Sequence, residues 1–151
     1  MIIKEVKPFI LLGLSVKTTN EDGRSTIDCG KLWHKFELEN YIDKIPGKLN
    51  DEIIAVYYDY EGDHTKPFSY FIGCSVKQHV EVPIELQSCL VRGGAYQVFK
   101  ASGKLPDCVA DSWKEIWNSS IDRAYESDFE VYDERSKDWN NAEVEIYISI
   151  K

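Results

Sequence analysis

The stretch SDFEVYDERSKDWNNAEVEIYISI, residues 127–150, decides how the chain is folded. Its second part, AEVEIYISI, alternates cleanly: Val144, Ile146, Ile148 and Ile150 point one way, and Glu143, Glu145, Tyr147 and Ser149 the other. That period of two marks a strand with one buried face. SDFEVYD is a second strand, and ERSKDWNN between them is a polar turn, so the stretch is a hairpin with a longer loop. The same pattern occurs earlier. EIIAVYYDY (52–60) and FSYFIGCSV (68–76) are strands around the turn EGDHTKP.

A helix is expected ahead of each hairpin. In the first, Cys29, Leu32, Trp33 and Phe36 recur at i, i+3, i+4 and i+7, one apolar helical face, and Ser25 and Asp28 have capping-box spacing. In the second, LPDCVADSWKEIWNSSI (105–121), Pro106 stands near the start and Val109, Trp113, Ile116 and Trp117 share a face. Each helix follows a long strand: about residues 7–18 in the first case, and QSCLVRGGAYQVFKASG (87–103) in the second. The second strand carries a glycine kink at Gly93 and Gly94, which Gly13 echoes in the first. The order is strand–helix–strand–strand, twice. It predicts an α+β fold: a duplicated βαββ repeat with pseudo-twofold symmetry, antiparallel sheet, two helices and a central ligand groove. One domain over 1–151 is expected, with halves at about 1–80 and 81–151.

Composition narrows the function. With 26 acidic against 18 basic residues, the net charge of -8 argues against direct nucleic-acid binding and against docking on anionic membranes. It leaves room for a cationic small molecule or a basic protein partner. Nine tyrosines and four tryptophans supply amphipathic rings, which favour pockets and interfaces. The cysteines at 29, 74, 89 and 108 form no CxxC pair, so reduced thiols in a cytoplasmic protein are expected. The apolar run FILLGLSV (9–16) meets Lys17 without a cleavage site and reads as a buried strand. Asp59, Glu61, Asp63 and His64 lack calcium-loop spacing, and no metal or cofactor site is read from the chain. Neither a phosphate loop nor a GxSxG elbow occurs.

Taken in order, LLGLSVKTTNEDG, LWHKF, IIAVYYDYEGD, YFIGCSV, GGAYQVFKASGKLPD, WKEIWNSS, RAYESDFEVYD and VEIYISI resemble the GyrI-like, or AraC-type, effector-binding domains. These include drug-sensing domains of transcription activators and stand-alone proteins, some carried on integron cassettes. The resemblance spans nearly the whole chain and implies the duplicated βαββ fold. It also implies an aromatic pocket between the halves, where a carboxylate in the strand matching DFEVY, here Glu130, receives lipophilic cations. Tyr132, Trp113 and Tyr96 are the foremost candidate walls of that pocket, followed by Tyr58, Trp33, Phe36, Trp117 and Tyr147. The competing reading of Glu130 is a solvated glutamate paired with Arg123.

Two other functions accompany the resemblance. Some relatives are hydrolases of cyclopropane-bearing electrophiles, in which case Glu130 would act as a base with Tyr96 or Tyr132 assisting. Others limit DNA gyrase as protein-interaction modules. No DNA-binding helix is expected ahead of the first strand, so any transcriptional role would need a regulator protein as partner. Monomer and homodimer both remain open.

Overall fold

The computed structural model describes residues 2–151. Eight strands form one antiparallel sheet: β1 (Ile2–Val6), β2 (Phe9–Thr18), β3 (Ile53–Tyr58), β4 (Phe68–Ser75), β5 (Gln87–Val91), β6 (Gly94–Gly103), β7 (Ser127–Tyr132) and β8 (Ala142–Ser149). Helix α1 (Arg24–Leu38) follows β2, and α2 (Asp107–Trp117) follows β6. The strand order is β1-β6-β8-β7-β3-β4-β2-β5. Exchanging β1–β4 with β5–β8 reverses that order without changing it, the topology a twofold duplication requires. The α+β, βαββ-repeat reading of the sequence describes this arrangement.

The two long strands are each broken in two. β1 and β2 part at Lys7–Pro8, and β5 and β6 part at Arg92–Gly93. The halves pair across the break in a single register, Ile2 opposite Val98 and Phe9 opposite Val91. Proline has no N–H to give the ladder, and Gly93 packs so tightly on it that an added Cβ would lie 2.7 Å from Pro8 Cδ. Gly93 thus corresponds to Pro8 rather than, as expected, to Gly13. Gly13 stands opposite Gly73 in the β2–β4 ladder, where a Cβ on either would collide with the other strand's backbone.

Residues directly opposite in a ladder share a face, so register assigns the layers. Leu12, Phe36, Phe68, Tyr70 and Ile72 form the core beneath α1. Val109, Trp113, Ile116, Val144, Ile146 and Ile148 form the core beneath α2. Leu11, Val56, Phe71, Val91, Tyr96 and Phe129 fill a third cluster on the opposite face. The expected capping box at α1 is not formed. Gly23 occupies the cap position in a left-handed conformation, while Ser25 donates to Asn20 and Asp28 accepts from Thr18. Among the described residues no helix is long and apolar enough to cross a membrane.

Candidate functional site

β7 lies at the centre of the sheet, between β3 and β8. Glu130 pairs with Ala55 on one side and Ile146 on the other. It therefore points to the face that both helices cover. Only 1% of it is exposed. Its carboxylate accepts three hydrogen bonds: Oε2 from the Tyr57 hydroxyl at 2.8 Å and from Trp113 Nε1 at 2.6 Å, and Oε1 from the Tyr132 hydroxyl at 2.7 Å. All three donors are neutral. Among the described residues Glu130 has no cationic partner within salt-bridge distance.

Burial raises the Glu130 pKa above its ordinary value, and the bonds from Tyr132, Trp113 and Tyr57 oppose that rise. Burial and then the Glu130 charge push the Tyr57 and Tyr132 phenols well up, so both remain protonated donors. The same two influences, in the same order, raise the Cys29 thiol, which makes it a poor nucleophile.

These groups line a cavity of about 1410 Å³ between α1, α2 and the sheet. Its walls are rings. Trp33 meets Tyr132 edge-on at 4.9 Å between centroids, Tyr57 meets Tyr70 edge-on at 5.0 Å, and Tyr57 lies 4.8 Å from Trp113. Trp33 Nε1 donates to the Tyr70 hydroxyl at 2.7 Å. At another part of the wall, His64 and Trp117 stack at 5.3 Å. Such a space fits an apolar molecule of drug size with a few polar anchors.

Of the candidates read from the sequence, Glu130, Tyr132, Trp113, Trp33 and Trp117 line this cavity. Four do not. Tyr96, Tyr58 and Tyr147 pack on the opposite sheet face, and Phe36 is buried beneath α1, stacked on Tyr41. Tyr96 donates its hydroxyl to Arg92 O at 2.6 Å, so the Glu130–Tyr96 pair required by one hydrolase reading is not formed. Tyr147 stacks on Phe129 at 4.5 Å. Arg123 pairs with Asp128 rather than Glu130. The sequence reading missed Tyr57, Tyr60, Tyr70 and Phe68, all of which line the cavity. Tyr57 lies between Val56 and Tyr58, so no alternation singles it out, and Tyr60 lies beyond the end of β3, in the connection to β4.

A family model described as an integron-associated effector binding protein matches residues 2–150. The crystal structure of an integron cassette protein of Vibrio cholerae, VCH_CASS2, is 33% identical with a TM-score of 0.77, covering 99% of this chain and 95% of that one. The structure of SAV2435 bound to tetraphenylphosphonium has a TM-score of 0.81 at 17% identity, covering 99% and 93% of the two chains, a likeness of fold. A Bacillus subtilis (strain 168) protein, YobU, named as a transcriptional regulator, is 28% identical over 147 residues, 92% of this chain and 90% of its own. The chain belongs to the integron-associated effector binding protein family.

Proposed function

We infer that this protein binds lipophilic cations in the cavity between its helices, with Glu130 as the charge anchor, and acts as an effector-binding module. One observation carries the reading. A buried carboxylate is held by three neutral donors and by no positive group among the described residues. Hydrogen bonds spread its charge but leave it uncancelled, and an uncancelled buried charge is costly. A cation lodged among the rings would cancel it. Faces of Trp33, Tyr57 and Trp113 would add roughly 0.5–2 kcal/mol each by cation–π attraction. These forces are broad in direction, so ligands of different shapes can share them.

That SAV2435 was solved with tetraphenylphosphonium makes this cation the natural first probe. Titration should quench the tryptophan fluorescence of the wild type. Glu130→Gln should weaken binding by roughly 2–5 kcal/mol, the range for losing one partner of a buried charge pair. Equal affinity of the two forms, or no binding by the wild type, would overturn the reading.

A further inference from the structure

Arg123 also forms part of the cavity wall. Its side chain is 5% exposed. One nitrogen, Nη2, donates to Asp128 Oδ2 at 2.7 Å. The guanidinium is enclosed by rings, its Cζ 4.2 Å from the centroid of Tyr125, 5.7 Å from Trp113 and 5.8 Å from Tyr60. Nε and Nη1 are both buried, and neither has a hydrogen-bond partner among the described residues. Buried N–H groups without acceptors are rare, and each carries a desolvation cost.

Asp128 is itself fully satisfied. Oδ2 accepts from Arg123 and from the Tyr60 hydroxyl at 2.5 Å, and Oδ1 accepts from Ser149 N at 2.7 Å and Ser149 Oγ at 3.1 Å. It has no capacity left for the two idle nitrogens. It does cancel the arginine's charge. The unmet demand at Arg123 is therefore for an oxygen lone pair, not for a second negative charge.

We propose that Arg123 is a second recognition point in the cavity, where one of its idle N–H groups, on Nε or on Nη1, donates to a neutral acceptor oxygen on the ligand. This rests on the cation-binding reading and narrows its ligand class. Asp128 and Glu130 are successive residues on one strand face, roughly 7 Å apart, and Arg123 is bound to the first. The preferred effector is accordingly a lipophilic cation with a carbonyl oxygen on a short arm, such as a ketone, ester or amide. The positive centre sits at Glu130 and the oxygen reaches Arg123. Trp113, which donates to Glu130 and borders the guanidinium, lies between the two points.

Two near-isosteric probes test this: (4-oxopentyl)triphenylphosphonium and (4-methylpentyl)triphenylphosphonium. They share the cation and differ in whether the arm ends in a carbonyl or a branched alkyl group. Calorimetry or tryptophan quenching with the wild type should give the ketone at least about tenfold tighter binding, as expected for hydrogen bonds to a charged donor. Arg123→Lys, which can keep an ion pair with Asp128 but has no second nitrogen to offer, should bring the ratio towards one. Equal or weaker binding of the ketone by the wild type would mean that solvent already serves these nitrogens. That outcome overturns the proposal while leaving the cation-binding reading intact. Binding of neither phosphonium removes both. The wild-type comparison decides the matter even if the arginine variant fails to fold.

Discussion

Asp128 and Glu130 sit two residues apart on one face of β7, both essentially excluded from solvent, yet among the described residues only Asp128 of the two holds a cation. The strand thus buries one neutralised carboxylate and one that is merely solvated by rings. The second is a standing cost to the folded chain. A carboxylate whose native pKa is raised binds its proton more tightly folded than unfolded. Its penalty is absent well below the unfolded value near 4.5, grows as pH climbs to the native value, and is full above it.

Glu130→Gln should therefore raise the melting temperature of the ligand-free protein at neutral pH while weakening cation binding. The amide oxygen can accept from Tyr57 and Trp113, and the amide nitrogen can donate to a reoriented Tyr132 hydroxyl. Site and stability oppose each other here, as they often do at functional positions. Thermal melts of both forms at pH 5 and pH 7.5 check this. A lower melting temperature for the glutamine form at pH 7.5 would count against an uncompensated charge.

Binding should carry the same proton. A cation stabilises the ionised carboxylate, so affinity should be constant at high pH and fall as pH drops through the raised pKa of Glu130, somewhere above 4.5. Tetraphenylphosphonium does not titrate, so its dissociation constant measured from pH 4.5 to 8 reports the protein alone. Glu130→Gln should flatten the profile.

Much of this architecture could be read from residues 142–149, whose alternation sets the face of β8 without ambiguity. β3 was opaque for the opposite reason. IIAVYY is apolar at every position because both of its faces are buried. Parity then comes only from the partner strand, through pairs such as Ala55–Glu130 and Tyr57–Asp128. The sequence alone therefore does not tell Tyr57, which faces the cavity, from Tyr58, which does not. Nor does the sequence tell which carboxylate Arg123 pairs with, because Asp128 and Glu130 share a face and sequence distance does not separate them. Residues 87–103 read as one kinked strand, since a glycine signals a bend but not that pairing will change partners across it.

The crossing of the broken strands makes its own prediction. A methyl group on Gly93 would meet Pro8 Cδ at 2.7 Å and Val6 O at 2.9 Å. Backbone and a rigid ring cannot yield as a flexible side chain would. Gly93→Ala should cost about 1–3 kcal/mol. At this chain length the melting temperature should fall by roughly 2–4 °C per kcal/mol. An unchanged melting curve would mean that the crossing is looser than its geometry implies.

Charge around the cavity should govern the speed of capture. Exposed Glu37, Asp43, Asp51, Asp107 and Glu134 line it, against exposed Lys114 and Lys137 and half-buried Lys48. Such a rim attracts cations from a distance and is screened by salt. In stopped-flow quenching, the association rate of a phosphonium should fall between about 0.05 and 0.5 M salt, with much less effect on dissociation. Salt acting mainly on dissociation would place the dominant charge effect inside the cavity.

Tyr57 and Tyr58 are neighbours on opposite faces of one strand, and they separate the role of the donors from that of the strand. Tyr57→Phe removes one of the three groups that hold down the Glu130 pKa. A hydrogen bond to an ionised group favours the charged form, so its loss favours the protonated one. The midpoint of the binding profile should rise, and cation affinity on its acid side should fall with it. Tyr58→Phe, on the face away from Glu130, should leave the midpoint where it was. A profile indifferent to Tyr57→Phe would mean that Trp113 and Tyr132 alone hold the anion, and that the third donor contributes only its ring to the wall.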